Sequence, residues 1–134
     1  VKQSPPATID TAVREVISRY PQVKLAILFG SSAKGTDTAD SDLDISVLTD
    51  GPLASDLKIQ IIGDLASRFE RPVDLIDLRT AGEPLLGQVL KGRRILGDDT
   101  TYGNLISRHL IDAADFLPYR NRILAERRAR WIAS

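Results

Sequence analysis

Leu53, Leu57, Ile61, Leu65 and Phe69 recur every fourth residue, with Ile62 and Ala66 widening the stripe, and this spacing predicts an amphipathic helix. The runs on either side of it have a different period. Leu43, Ile45 and Val47 alternate with Asp42, Asp44 and Ser46 before it, which is the pattern of a strand. Val73 to Leu78 reads as another strand after it, with Pro72 at its mouth, where a missing N–H does least harm. Gly51-Pro52 and Arg71-Pro72 punctuate the three segments. A helix between two strands points to an α/β fold, and the remaining segments extend it.

Upstream, Ile9, Val13, Val16, Ile17 and Tyr20 mark a first helix that Pro21 closes, and Val23 to Phe29 reads as a mostly buried strand ending at Gly30-Ser31. Ser32 to Ser41 has no apolar period and is expected to be a loop, with room for one helical turn after the glycine. Downstream, Glu83 to Lys91 is expected to form a short helix and Gly92 to Gly97 a short strand or hairpin arm around Ile95-Leu96. A stripe of Leu105, Ile106, Leu110, Ala113 and Phe116 marks a helix from Tyr102 to Leu117. Pro118 kinks it or starts a second helix carrying Ile123, Leu124 and Trp131. The expectation is one domain over residues 1–134, with a core over about residues 8–97 and a C-terminal helical segment over about residues 100–133. Its sheet should be small and mixed, with helices packed behind it.

Composition excludes several function classes. Apolar residues make up 43% and charged residues 27%, which is ordinary globular usage and argues against disorder. With no cysteine, disulfides, thiolate metal sites and cysteine nucleophiles are ruled out. No run approaches the roughly 20 apolar residues of a membrane span, and Val1 to Asp10 lacks the apolar run of a signal peptide, so a cytoplasmic address is expected. The formal net charge of zero hides a division. Residues 1–90 carry nine basic and thirteen acidic side chains, whereas residues 91–134 carry nine and five. An acidic part suits carboxylates gathered for metal, and a basic tail suits a solvated face or a docking surface.

The chemistry concentrates in Phe29-Gly30-Ser31, ten intervening residues, and Asp42-Leu43-Asp44. Side chains two apart on a strand share a face, about 6.6–6.8 Å apart along the backbone. Two such carboxylates repel each other unless a cation lies between them, and hard oxygen donors suit Mg²⁺ or Mn²⁺. Asp74, at the second position of the next strand, completes a three-carboxylate cluster if the strands are neighbours. Such a cluster around two ions can stabilise the attacking and leaving oxygens of phosphoryl or nucleotidyl transfer. Gly30 lets backbone approach a phosphate, Ser31 adds a hydroxyl and N–H donors, and the Lys34 ammonium lies just beyond. The glycine spacing from Gly30 to Gly35 does not fit a Walker loop.

These residues resemble the signature of the DNA polymerase beta-type nucleotidyltransferases. Gly30-Ser31-Ser32-Ala33-Lys34-Gly35 followed by Ser41-Asp42-Leu43-Asp44 is similar to its minimal nucleotidyltransferases, in which the position of Lys34 is often arginine. The resemblance continues through Val73-Asp74-Leu75-Ile76-Asp77-Leu78-Arg79 and the Gly92 to Gly97 segment. It implies an antitoxin, partnered with a helical ribonuclease toxin of the HEPN family in a hetero-oligomer. It also implies that AMP is moved from ATP, with magnesium as cofactor, onto a tyrosine of the toxin. By position, Asp42 and Asp44 would bind metal, Asp74 would bind one metal and activate the tyrosine hydroxyl, and Gly30, Ser31 and Lys34 would hold the triphosphate. Direct nucleic-acid or membrane binding is not expected.

Other residues take plainer readings. Asp77 faces away from Asp74 and is expected to be structural. His109 falls on the apolar stripe of its helix, as a core or interface histidine, and Trp131 reads as a packing or interface anchor. Arg79 could reach nucleotide or partner. Two alternatives to the antitoxin enzyme remain open at this stage. One is an adenylyltransferase for a small molecule such as an aminoglycoside, which usually needs a larger second domain. The other is a module that masks a toxin without chemistry.

Overall fold

The structure, a computed structural model, describes residues 6–35 and 41–114. Its elements follow the order α1 (Pro6–Ile17), β1 (Val23–Phe29), α2 (Ser31–Lys34), β2 (Leu43–Thr49), α3 (Ser55–Phe69), β3 (Val73–Asp77), α4 (Leu85–Leu90) and β4 (Arg93–Leu96). A further helix, α5, spans residues 99–114. Within the described residues the expected strands and helices are present, with differences at their ends. α1 stops at Ile17, and Tyr20 lies in the turn beyond it, its N–H donating to the Ile17 carbonyl at 3.0 Å. α5 begins three residues before Tyr102 because the Asp98 carboxylate accepts the Thr101 N–H at 2.7 Å and caps the helix. That hydrogen bond also holds the Asp98 carboxyl below its usual range. The end of the expected helix at Phe116 and Leu117, and the expectations for Pro118, Ile123, Leu124 and Trp131, lie outside the described residues.

The four strands form one mixed sheet in the order β3-β2-β1-β4. β1 pairs antiparallel with both β2 and β4, while β2 and β3 run parallel because α3 carries the chain back to the starting end. β1 and β2 are therefore central, which accounts for the burial of every β1 residue except Lys24. Helices cover both faces of the sheet, not only the one behind it. On the first face Val13, Val16 and Ile17 of α1 and Ile61 and Leu65 of α3 pack on Ala26, Leu28, Leu43, Ile45 and Val47. On the second, Leu86 and Val89 of α4 and Leu105 of α5 pack on Leu25, Ile27 and Phe29. Among the described residues, no helix is long and apolar enough to cross a membrane.

Candidate active site

The site is set by register. At one end of the sheet Asp44 of β2 lies opposite Asp74 of the parallel β3 on one side and opposite Phe29, the last residue of β1, on the other. Residues paired across neighbouring strands share a face, so Asp44 and Asp74 both belong to the second face, with Leu48 and Ile76 further along it. Asp42 differs from its expectation in one respect: β2 begins at Leu43, so the pleat does not fix the direction of Asp42, which is exposed. Its charge nevertheless reaches Asp44. Burial pushes the Asp44 carboxyl up from its ordinary range, and the charges of Asp74 and then Asp42 push it further.

Gly30 forms the third side. It turns the chain from β1 into α2 at φ 73°, in the left-handed region, and a Cβ there would overlap Oδ2 of Asp44. Only glycine meets both conditions. Ser31 opens α2, Ser32 is buried, and Lys34 is exposed at its far end. Asp77 is on the opposite face from Asp74, and its carboxylate accepts the Arg79 N–H at 2.9 Å, a structural role in the turn after β3. Arg79 itself is exposed. His109 is partly buried, and its Nδ1 contacts the Glu83 carboxylate, which also accepts the Gly87 N–H at 3.3 Å.

One residue that supports this arrangement escaped the sequence reading. Arg93, at the start of β4, places Nε 3.0 Å from Asp10 Oδ2 and Nη2 3.0 Å from Asp10 Oδ1, a two-pronged ion pair with α1. The same guanidinium donates to the carbonyls of Ala33 and Ser32. It therefore ties the C-terminal part of α2 to α1. The adjacent Gly92 is the only residue that fits there, since a Cβ would overlap the Leu28 carbonyl oxygen. The pattern Gly92-Arg93 was visible, but its partner Asp10 lies 83 residues away and no local period links them.

Among the described residues no three carboxylates or imidazoles are closed into a formed cation cage. The donors at the sheet end are all carboxylate oxygens, and like charge acts on Asp44 from two directions. That donor set fits a hard divalent ion such as Mg²⁺.

Comparison with known proteins agrees with this geometry. The profile of the family described as polymerase beta, nucleotidyltransferase, matches residues 11–101. Over 78 residues the chain is 38% identical to the protein adenylyltransferase MntA of Shewanella oneidensis, a stretch covering 58% of this chain and 56% of that relative. The chain thus spans little more than half the length of the curated relative it matches. Its fold superposes with a TM-score of 0.77 on a chain from the crystal structure of a toxin-antitoxin with AMP-PNP, at 26% identity over 87% of this chain and 96% of the other. It shares the fold, at 22% identity and a TM-score of 0.74, with a chain from the complex of a tri-AMPylated Shewanella oneidensis HEPN toxin and its MNT antitoxin, over 91% of this chain and 98% of that one. The paired Asp44 and Asp74, the Gly30 turn pressed against Asp44 and a profile match running from α1 past β4 lead to one assignment: the chain belongs to the polymerase beta nucleotidyltransferase family.

Proposed function

We propose that the chain is the antitoxin of a toxin-antitoxin pair and acts as a protein adenylyltransferase, moving AMP from ATP onto a tyrosine of a cognate HEPN ribonuclease toxin. The observation that carries the reading is the juxtaposition of Asp44, Asp74 and Gly30 at one end of the sheet. The likeness to MntA and to a chain from a toxin-antitoxin structure with AMP-PNP supports the choice of donor and of partner.

In this reading Asp42 and Asp44 would hold magnesium, and Asp74 would bind one ion. When bound, magnesium supplies positive charge that offsets the repulsion among the carboxylates and the triphosphate. The chain's own groups do the rest. Gly30 and Ser31 bring backbone and hydroxyl donors against the polyphosphate, and Lys34 adds an ammonium. A tyrosine hydroxyl has a pKa near 10 and is a poor nucleophile at neutral pH, so a base must accept its proton as the oxygen attacks. Asp74 is exposed at the edge strand β3, where an incoming tyrosine can reach it, whereas Asp44 is half-buried between strands.

The test is to incubate the purified chain with ATP, magnesium and the toxin encoded beside it, and to weigh the toxin by mass spectrometry. The expected result is a gain of one or more AMP units on tyrosine, lost on chelation. Asp74→Asn should still bind the toxin but no longer modify it. A toxin neutralised without any gain in mass would overturn the enzymatic reading in favour of masking.

A further inference from the structure

A cavity of about 300 Å³ opens beside Gly30, between α2 and α4. Phe29, Ala33 and Leu85 form its apolar walls, and Lys34, Gln88 and Lys91 supply its polar groups. Among the described residues the charged side chains that line it are Lys34 and Lys91, so its chemistry favours an anion. Lys34 belongs to the Gly30–Gly35 segment already assigned to the triphosphate. Lys91, directly after α4, comes from a distant part of the sequence and has no role in the site described so far.

The sheet order places this cavity relative to the reaction. Across the end of the sheet stand Asp74 on β3, Asp44 on β2, Gly30 after β1 and Gly92 before β4, in steps of roughly 4.8 Å between strands. In-line displacement at a phosphorus requires the attacking and leaving oxygens on opposite sides. With the base at the β3 end and the reacting phosphorus near Asp44, the leaving group departs toward β1 and β4. The two-lysine cavity lies at that end.

We propose that this cavity is the leaving-group pocket and that Lys91, together with Lys34, holds the β- and γ-phosphates of the donor nucleotide. The inference rests on the adenylyltransferase reading for the identity of the reaction. In the step, the acceptor oxygen bonds to the α-phosphorus and its proton passes to Asp74. The bond from the α-phosphorus to the bridging oxygen breaks, and pyrophosphate leaves with that electron pair. Lys91 then contributes to binding triphosphates and pyrophosphate but not to binding a nucleoside monophosphate.

The experiment measures, by calorimetry in magnesium buffer, the affinities of the full chain for ATP, AMP and inorganic pyrophosphate, with Lys91→Ala and Lys91→Arg beside the wild type. Lys91 is exposed, and unchanged melting of the variants confirms that they fold. Lys91→Ala should weaken ATP and pyrophosphate about tenfold, leave AMP within about twofold, and be largely rescued by Lys91→Arg. Equal losses for ATP and AMP would mean that the cavity receives the nucleoside, and would overturn the proposal. So would an unchanged affinity for ATP and pyrophosphate, or a wild type that binds ATP no more tightly than AMP. The toxin assay separates this inference from the reading beneath it. A wild type that shows the Lys91-dependent pattern but never modifies the toxin refutes only the proposed function. A wild type that modifies the toxin while Lys91→Ala binds normally refutes only the leaving-group pocket.

Discussion

The two faces of β2 are built from alternate residues of one strand and serve opposite ends. Leu43, Ile45 and Val47 face α1 and α3, and all three are fully buried. Asp44, Ser46 and Leu48 face the other way, and their character changes along the strand. Leu48 packs beside α4 and α5, Ser46 is buried with its hydroxyl donating to the Ile27 carbonyl at 3.1 Å, and Asp44 is half-buried next to Asp74. The first face carries a single polar side chain, Thr49 at its end, whose hydroxyl donates to the Gly51 carbonyl at 2.6 Å, and this face contributes stability. The second runs from apolar packing to a repelling carboxylate pair over five residues, and that pair raises the energy of the folded state until a cation arrives. Stability and chemistry are thus separated by the pleat rather than by distance in the sequence.

Substitutions on the two faces should therefore have different consequences. The largest effect on activity is expected from Asp44→Ala: AMP transfer to the toxin should fall by about a hundredfold or more, with melting unchanged or slightly raised because repulsion is relieved. Melting curves beside the transfer assay check both parts, and a large loss of stability would break the separation. Ile45→Ala, one residue away on the other face, should cost about 2–5 kcal/mol in denaturant unfolding, while the fraction still folded transfers AMP at the normal rate. A specific loss of transfer by folded Ile45→Ala protein would show the faces to be coupled. Gly30→Ala crosses the boundary, because it strains the backbone by about 1–3 kcal/mol and drives a methyl group into Asp44. It should reduce both readouts, and a variant damaged in only one would place Gly30 wholly on that side.

The sequence reveals the separation wherever it is periodic. Alternation in Leu43 to Val47 shows which residues face the core, and the four-residue spacing of α3 supplies the cover for one side. The spacing from Gly30-Ser31 to Asp42-Leu43-Asp44 locates the site before any register is known. What it conceals is pairing. Nothing local fixes β3 beside β2 rather than at another edge, and only that neighbour relation brings Asp74 level with Asp44. Helix ends were also hidden. Asp98 begins α5 through one side-chain hydrogen bond, which an apolar stripe starting at Tyr102 does not show. Arg93, Gln88 and Lys91 escape for the same reason, since their roles come from long-range neighbours rather than from spacing.

The smallest effect tests how well the first face is sealed at its rim. Tyr20 sits just beyond α1, packs against the first core, and its hydroxyl donates to the Asp64 carboxylate on α3. Burial, then that hydrogen bond, pushes the Tyr20 hydroxyl up from 10.0 to about 12. A raised value means that folding favours the protonated phenol. The contribution is therefore fully present below about pH 10, shrinks as pH rises, and is gone once the folded-state group ionises near pH 12. The pair is at the surface, where solvent screens it, so Tyr20→Phe should cost only about 0.5 kcal/mol at neutral pH. Between pH 10 and pH 12 the wild type should lose stability faster than Tyr20→Phe, so that the two unfolding midpoints approach each other. AMP transfer at neutral pH should be unaffected, because Tyr20 and Asp64 lie on the stabilising side of the sheet. Parallel pH dependences in the two proteins would show that the hydroxyl does not seal this rim, and a loss of transfer in Tyr20→Phe would mean that the α1–α3 layer reaches the chemistry after all.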